Sequence, residues 1–458
     1  MTAMSGARSR TRLWAISLVA GCLAANLGSA GFVVVQRTHD DLRPRTTANG
    51  PAVEGRAQPS SDEPRQAIVE LLGRRADAVR HRDVNGFLAT VDPLAPKAFR
   101  AAQRSVALAL RVLPLATWEY DLNGHRTHEL TATRAARYGG ARTYAPEVLL
   151  SYRLAGFDVE TTTDELYPTF VQRKGRWYLG ADDDFAERGL HTQRGPWDFG
   201  ALRVTRNASA LVLSHPGSDR LARQVAAEVR RDIPRVDAVW KRPWAHRAVV
   251  IIPKTQRELE QLVGEDDLDQ IAAVATAEST RRGDGSTDAP VGDRVMVNPV
   301  NFDKLGPLGR RVVLTHELTH VATRVFTTDG VPSWLVEGFA DYVGYLGSGV
   351  SVRAAAGELA DDLRAGKPLR ALPADKDFDA NNPRLAQAYE QGWLAARFIA
   401  DRVGPTGLAA LYAAVGEQSA RPTSDPTVVL SSALKATMRL DLPRFVSAWR
   451  SYVRRQLT

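Results

Sequence analysis

Between residues 65 and 79 apolar side chains recur at Ile68, Leu71, Leu72, Ala76 and Val79, the three- and four-residue spacing that lines one face of a helix. Further along, the period shortens to two. Segments 117–122, 147–154 and 169–181 alternate apolar and polar positions as strands do, with Lys174-Gly175 placed where the last segment turns back on itself. Helix followed by antiparallel strands predicts a compact α+β domain over about 65–188. A further region opens near Ala201. Segments 202–216 and 247–253 read as strands, with an amphipathic helix over 219–240 between them. The Gly- and Asp-rich stretch 281–293 reads as a loop and RVMVNP, 294–299, as a short strand. Helical periodicity dominates from there on, and there is no internal repeat.

The start of the chain follows neither period. Residues 13–35, LWAISLVAGCLAANLGSAGFVVV, carry no charge and follow Arg8, Arg10 and Arg12. At 1.5 Å per residue they reach about 34 Å, enough to cross a hydrocarbon core of about 30 Å. The basic residues of 1–12 favour a cytoplasmic N-terminus, so the expectation is a single-pass membrane anchor with the rest of the chain outside the cytoplasm. Two other export signals compete with it. Val19-Ala20-Gly21-Cys22 resembles a lipobox, which would make Cys22 a lipidation site, and small residues near Ala30 would suit a cleaved signal peptide. Residues 36–64, rich in Pro, Gly, Ser and Ala, read as a flexible linker.

Composition narrows the chemistry. The 458 residues are 44% hydrophobic, so sizeable cores can form, and the length suits two or three domains. Cys22 is the only cysteine, which excludes an intrachain disulfide and a cysteine-based zinc module, so any metal must rest on His and carboxylates. The net charge of +8 comes from 52 Arg and 8 Lys spread along the chain without a basic block or aromatic interleaving, so no nucleic-acid partner is expected.

The segment LGRRVVLTHELTHVATRVF, 308–326, holds His316-Glu317-x-x-His320. Residues four apart on a helix lie about 40° from each other, so the two imidazoles project side by side and can share one ion. Leu314, Leu318, Val321 and Val325 form an apolar stripe roughly opposite, leaving the histidines to line a cleft. After the loop TTDGVPS comes WLVEGFADYVGYL, 334–346, with Glu337 and Asp341 four apart among apolar neighbours. Catalytic zinc uses three protein ligands and an open position, and two His plus one Glu is a recurring set, so Glu337 is the expected third ligand. Asp341, one turn on, is placed to accept the other ring N–H of a metal-bound histidine. His125 and His128 fall in GHRTHE, read as a hairpin loop with a surface pair, and His191, His215 and His246 read as structural. Trp393 and Phe398 read as core.

HELTH at 316–320 followed by WLVEGFADY at 334–342 resembles the gluzincin metallopeptidases, in particular the bacterial peptidase-MA-like domains, over about 202–458. The resemblance implies a thermolysin-like zincin domain: a small sheet with an edge strand along the cleft, a two-histidine helix and a mostly helical C-terminal half. RVMVNP matches that edge strand by position, where its backbone could pair with an extended peptide. It implies a Zn²⁺ cofactor on His316, His320 and Glu337, Glu317 as general base, and a Tyr or His oxyanion donor from a later helix, for which Tyr389 is the candidate. Sixteen residues separate His320 from Glu337, a short connection for this clan, and no Gly-x-Met-Glu-Asn motif is present. Internal cleavage of a peptide or protein substrate is therefore expected over N-terminal trimming. Upstream, the close RKGRWYLGAD is similar to that of the cone-shaped nuclear-transport-factor-like fold, whose cone often holds a pocket. Two other readings of the whole stand beside the peptidase: a catalytically silent zinc-containing envelope scaffold, and a zinc hydrolase of a non-peptide envelope substrate.

Overall fold

The computed structural model describes residues 14–17, 63–265, 268, 271–281, 287–379, 382–421 and 425–458, and of 14–17, 278–281 and 287–290 the backbone alone. The basic tail 1–12, Cys22 and nearly all of the apolar span and linker lie outside the described residues. Of the span, β1 (Trp14–Ser17) is described, as a strand. Among the described residues no helix is long and apolar enough to cross a membrane. The described residues divide into two compact units, 63–202 and 203–458 together with 14–17.

The upstream unit begins with α1 (Glu63–Arg80), whose Ile68, Leu71, Leu72, Ala76 and Val79 are buried as their spacing predicts. Glu63 in its first turn and Arg80 in its last complement the helix dipole. The short α2 (Val84–Leu88) and the longer α3 (Lys97–Leu110) follow. Then come β2 (Leu115–Thr127), the short α4 (Ala132–Ala136), β3 (Thr143–Tyr144), β4 (Pro146–Leu154), β5 (Thr162–Leu166), β6 (Thr169–Arg173) and β7 (Arg176–Ala181). They form two antiparallel three-stranded sheets, in the orders β2-β4-β5 and β3-β6-β7. Lys174 and Gly175 turn β6 into β7 with φ of 49° and 76°, the left-handed pair a tight hairpin demands. GHRTHE is not a hairpin loop. β2 runs on to Thr127, so His125 lies in a strand, and His128 packs its ring against Tyr167 and Phe185. The unit also runs past residue 188, because Trp197 is buried edge-on against Trp118 and Tyr152.

The C-terminal unit is a six-stranded sheet with helices. Its strands β8 (Arg203–Arg206), β9 (Ala210–Ser214), β10 (Ala248–Ile252), β11 (Ala273–Arg281) and β12 (Thr287–Val297) join β1 in the order β1-β11-β12-β10-β9-β8. Helices α5 (Asp219–Val239) and α6 (Gln256–Val263) link the parallel strands β9, β10 and β12. Of the stretch 281–293, residue 281 and residues 287–293 are strand rather than loop, since β11 and β12 pair antiparallel. That pairing also moves the outer strand. Residues 294–297 lie in β12, paired on one side with β10 and on the other with β11, so RVMVNP has no edge to offer a peptide. β11 stands outside it, with β1 antiparallel alongside at Ile16 opposite Ala275.

After α7 (Pro299–Lys304), the helix α8 (Pro307–Thr323) starts with Gly306 and Pro307 at the cap and first position. It packs against α5, α9 (Ser333–Tyr345) and β11. The short helices α10 (Val352–Ala355) and α11 (Gly357–Arg364) precede the long α12 (Leu385–Ser419), which bends at Gly404, φ 80°, before Pro405. α13 (Pro426–Met438) and α14 (Leu442–Leu457) close the unit. Trp393 and Phe398 are buried in this core. An α+β fold with a small sheet followed by a mostly helical second half is thus observed for this unit.

Candidate metal centre

Two helix contacts bring the polar residues of this unit together. A Cβ on Gly338 of α9 would stand 2.2 Å from the carbonyl oxygen of Gly392 on α12, so these helices meet backbone to backbone. A Cβ on Gly344 would stand 2.9 Å from the Val312 carbonyl, which sets α9 equally close to α8. With side chains absent at these points, residues one turn along on each helix face a common centre.

There His316 Nε2 and His320 Nε2 lie 2.8 Å apart, and Glu337 Oε2 is 3.4 Å from the first and 3.6 Å from the second. Donor atoms held at about 2.0–2.2 Å from one tetrahedral zinc ion stand roughly 3.3 Å from one another. The two carboxylate–imidazole separations match that spacing, and the imidazole pair is somewhat tighter. Among the described residues this trio is the cluster whose donors could hold a metal ion, and all three are buried. His316 donates from Nδ1 to Asp341 Oδ1 at 2.9 Å, which leaves its Nε2 turned to the shared centre. Two imidazoles and a carboxylate suit a borderline-soft ion such as zinc.

The electrostatics favour positive charge here. Burial works to discharge His316, but the Asp341 and Glu337 carboxylates outweigh it and hold the imidazole up to about 10. Burial pushes His320 down to about 4 and raises Glu337, whose carboxyl is nonetheless drawn below its ordinary value by His320 and His316. Glu317 shares the centre without belonging to the trio. Burial pushes it up to about 8, against the pull of His316, and the Ala275 backbone of β11 faces it. Tyr389, on α12, hydrogen-bonds towards Glu337 and packs edge-on against Phe378; burial, with the surrounding carboxylates, keeps its phenol protonated well beyond the usual range.

The six residues expected from the sequence, His316, Glu317, His320, Glu337, Asp341 and Tyr389, therefore lie in one place. The helix pattern around them differs from expectation. Val325 falls beyond the end of α8 and is exposed, and every residue of α8 from Val312 to His320 is buried, so the histidines are buried rather than lining an open cleft. Packing by α5, α9 and β11 together is a long-range effect that one helix's periodicity does not carry.

Arg324 was not anticipated. Its Nε donates to Asp293 Oδ1 of β12 at 2.8 Å, its charge acts on Glu317 and His320, and its Nη1 is buried without a hydrogen-bond partner. It lies four residues beyond His320, on the face that carries both histidines, and that spacing was its signal. The remaining histidines are elsewhere: His215 is buried against Glu258 at 2.7 Å, and His246 lies 3.1 Å from Asp237.

No protein-family model and no curated protein matches the chain. In structure it is similar to a two-domain M1 zinc metallopeptidase, an alanine mutant bound to L-arginine, at 15% identity and a TM-score of 0.33 over 63% of this chain and 58% of that one. It is also similar to the M1 zinc metallopeptidase from Deinococcus radiodurans, at 16% identity and a TM-score of 0.32 over 69% and 60%. The match takes in about three fifths of each neighbour's length. At such scores these likenesses add no argument to the geometry, and they lend no support to a nuclear-transport-factor-like upstream unit.

Proposed function

We propose that the chain is a zinc-dependent metallopeptidase that cuts within peptides, with His316, His320 and Glu337 holding the ion. The observation that carries this reading is the convergence of those three donors with Glu317, whose carboxylate stands beside them outside the ligand set. A bound zinc ion supplies Lewis acidity, which activates water near neutral pH and polarises an acyl carbonyl. Glu317 takes the proton of the attacking water and delivers it to the leaving amine; burial raises its carboxyl, and the charge of a bound ion would draw it back to the carboxylate that the role needs. Asp341 holds His316 in the tautomer that presents Nε2. Tyr389 keeps its proton and so is a donor at every working pH, available to an oxygen that gains charge. RVMVNP being interior, the backbone a peptide would lie along is β11, whose Ala275 faces Glu317, on the side that β1 covers and would have to leave.

The uncharged span 13–35 after three arginines supports export and tethering, with the catalytic unit outside the cytoplasm. Insertion in a bilayer and pairing of β1 with β11 are exclusive alternatives for Trp14–Ser17.

The test is a peptide mixture incubated with the zinc-loaded chain and with its Glu317→Gln variant, cuts being read by mass spectrometry. Internal cuts made by the wild type and reduced about 10²–10⁴-fold in the variant are expected. Full activity in the variant would refute the mechanism. Bound zinc without cuts would favour the silent scaffold or a non-peptide substrate.

A further inference from the structure

The upstream unit holds a partly open cavity of about 80 Å³ between α1, α3 and the inner faces of both sheets. Much of its wall is apolar, with Leu72, Val106, Val148 and Phe170. Charged side chains line the rest: Asp164, Asp182, Asp198 and Arg194, and from α1 Arg75, buried at 6% exposure. Its guanidinium donates to Thr90 Oγ1 at 2.8 Å and to Gln103 Oε1, lies 3.5 Å above the Phe87 ring, and meets the Tyr120 hydroxyl. Among the described residues, no carboxylate comes within ion-pairing distance of it. The three acids in the wall are engaged elsewhere: Asp182 is clamped by both terminal nitrogens of Arg194, at 2.8 and 3.1 Å, Asp198 accepts from the Gly195 amide at 2.9 Å, and Asp164 has a partner of its own.

A buried cation is costly unless an anion meets it, and here the space beside it is hollow. The neutral partners Thr90, Gln103 and Tyr120 orient the guanidinium without balancing its charge, and a planar fork of N–H donors matches a carboxylate. Size limits the guest. An apolar cavity of about 150 Å³ takes benzene, so roughly half that volume accommodates about three to five non-hydrogen atoms.

We propose that this cavity is a binding site for a short monocarboxylate of acetate or propionate size, its carboxylate on Arg75 and Tyr120 and its tail against Leu72, Val106, Val148 and Phe170. The site is independent of the metal centre and of the reaction proposed for it.

Calorimetry and ligand-observed NMR on the full chain, in buffer free of organic acids, provide the test with acetate, propionate and the neutral isostere propionamide. Propionate should bind at least 10-fold more tightly than propionamide, and Arg75→Gln should abolish the difference. Because Arg75 also braces α1 against Thr90 and α3, a second variant, Val106→Phe, fills the cavity and leaves the arginine in place; it should lose propionate binding with its melting transition retained. Equal binding of acid and amide, no binding of either acid to the folded wild type, or undiminished binding in folded Val106→Phe would each overturn the proposal.

Discussion

In the C-terminal unit two carboxylates, Glu317 and Glu337, converge with two imidazoles on a point that no side-chain cation fills, while in the upstream unit one guanidinium, Arg75, lines a hollow whose acids are engaged with other partners. Both regions bury charge, the first as carboxylates around two imidazoles, the second as a guanidinium that the acids in the same wall do not pair. A buried charge must be met by an opposite one or given up by titration, because burying an isolated ion costs many kcal/mol. Its sign and surroundings therefore describe the guest. Imidazole nitrogens and a carboxylate oxygen at mutual distances of 2.8–3.6 Å describe a small, hard-to-borderline cation. A forked donor against aliphatic walls describes a small organic anion.

The largest expected effect concerns the cation. If zinc offsets the charge of the cluster, a chain kept at 1,000 times its dissociation constant in zinc gains about 4 kcal/mol over the chelated protein. His320→Ala should bind no zinc by elemental analysis and melt at the same temperature with or without chelator. A zinc-dependent melting shift that survives His320→Ala would place the ion elsewhere and break the contrast between the two regions.

Next comes the frame that gathers the acids. Gly338→Ala puts a methyl group 2.2 Å from the Gly392 carbonyl oxygen, a backbone atom that cannot step aside. Overpacking of this kind costs about 1–3 kcal/mol and sometimes more. Denaturant midpoints should fall accordingly, and zinc affinity should fall with them, since α9 carries Glu337 and Asp341. A variant of unchanged stability would show that the helices can part without disturbing the centre.

The two regions were not equally legible. HELTH and WLVEGFADY could be read because the chemistry sits at i and i+4 along single helices, a spacing that survives in one dimension. What gathers those helices, Gly338 against Gly392 and Gly344 against Val312, is a long-range contact without a local signal. The place of RVMVNP inside the sheet was hidden for a similar reason. AVATAESTR, 273–281, alternates weakly, whereas RVMVN is apolar enough to be an interior strand, which is what β12 is. Arg75 carried a signal that passed unread: it stands seven residues after Ile68, on the buried face of α1, where a charge breaks the pattern. The cavity beside it is built from α1, α3 and strands distant in sequence, so its hollow could not be inferred.

A subtler test asks how much the histidine's orientation matters to the cation. Asp341→Asn keeps a hydrogen-bond acceptor for His316 Nδ1 but removes the charge, and losses of this kind cost about 10–100-fold in metal affinity or activity. Competition with a fluorescent zinc chelator measures it. Affinity within two-fold of wild type would remove Asp341 from the site's electrostatics.

The smallest effect sharpens the comparison by supplying a third outcome, a buried charge that is simply given up. Asp232 on α5 is buried, its Oδ2 has no hydrogen-bond partner, and Arg235 Nε stands 3.4 Å from Oδ1. Burial pushes its carboxyl up to about 7 even against the pull of Arg235. The folded chain therefore holds a proton that the unfolded chain, with an aspartate near pKa 3.9, releases earlier. Stability from this residue is greatest below pH 4, declines as pH rises from about 4 to 7, and levels off above. Asp232→Asn cannot titrate, so the stability of the variant relative to wild type should rise by on the order of 1–2 kcal/mol between pH 5 and 8 in urea titrations at each pH. A constant difference across that range would mean that Asp232 stays ionised against Arg235, and that even an imperfect internal partner suffices where the two functional regions need a guest.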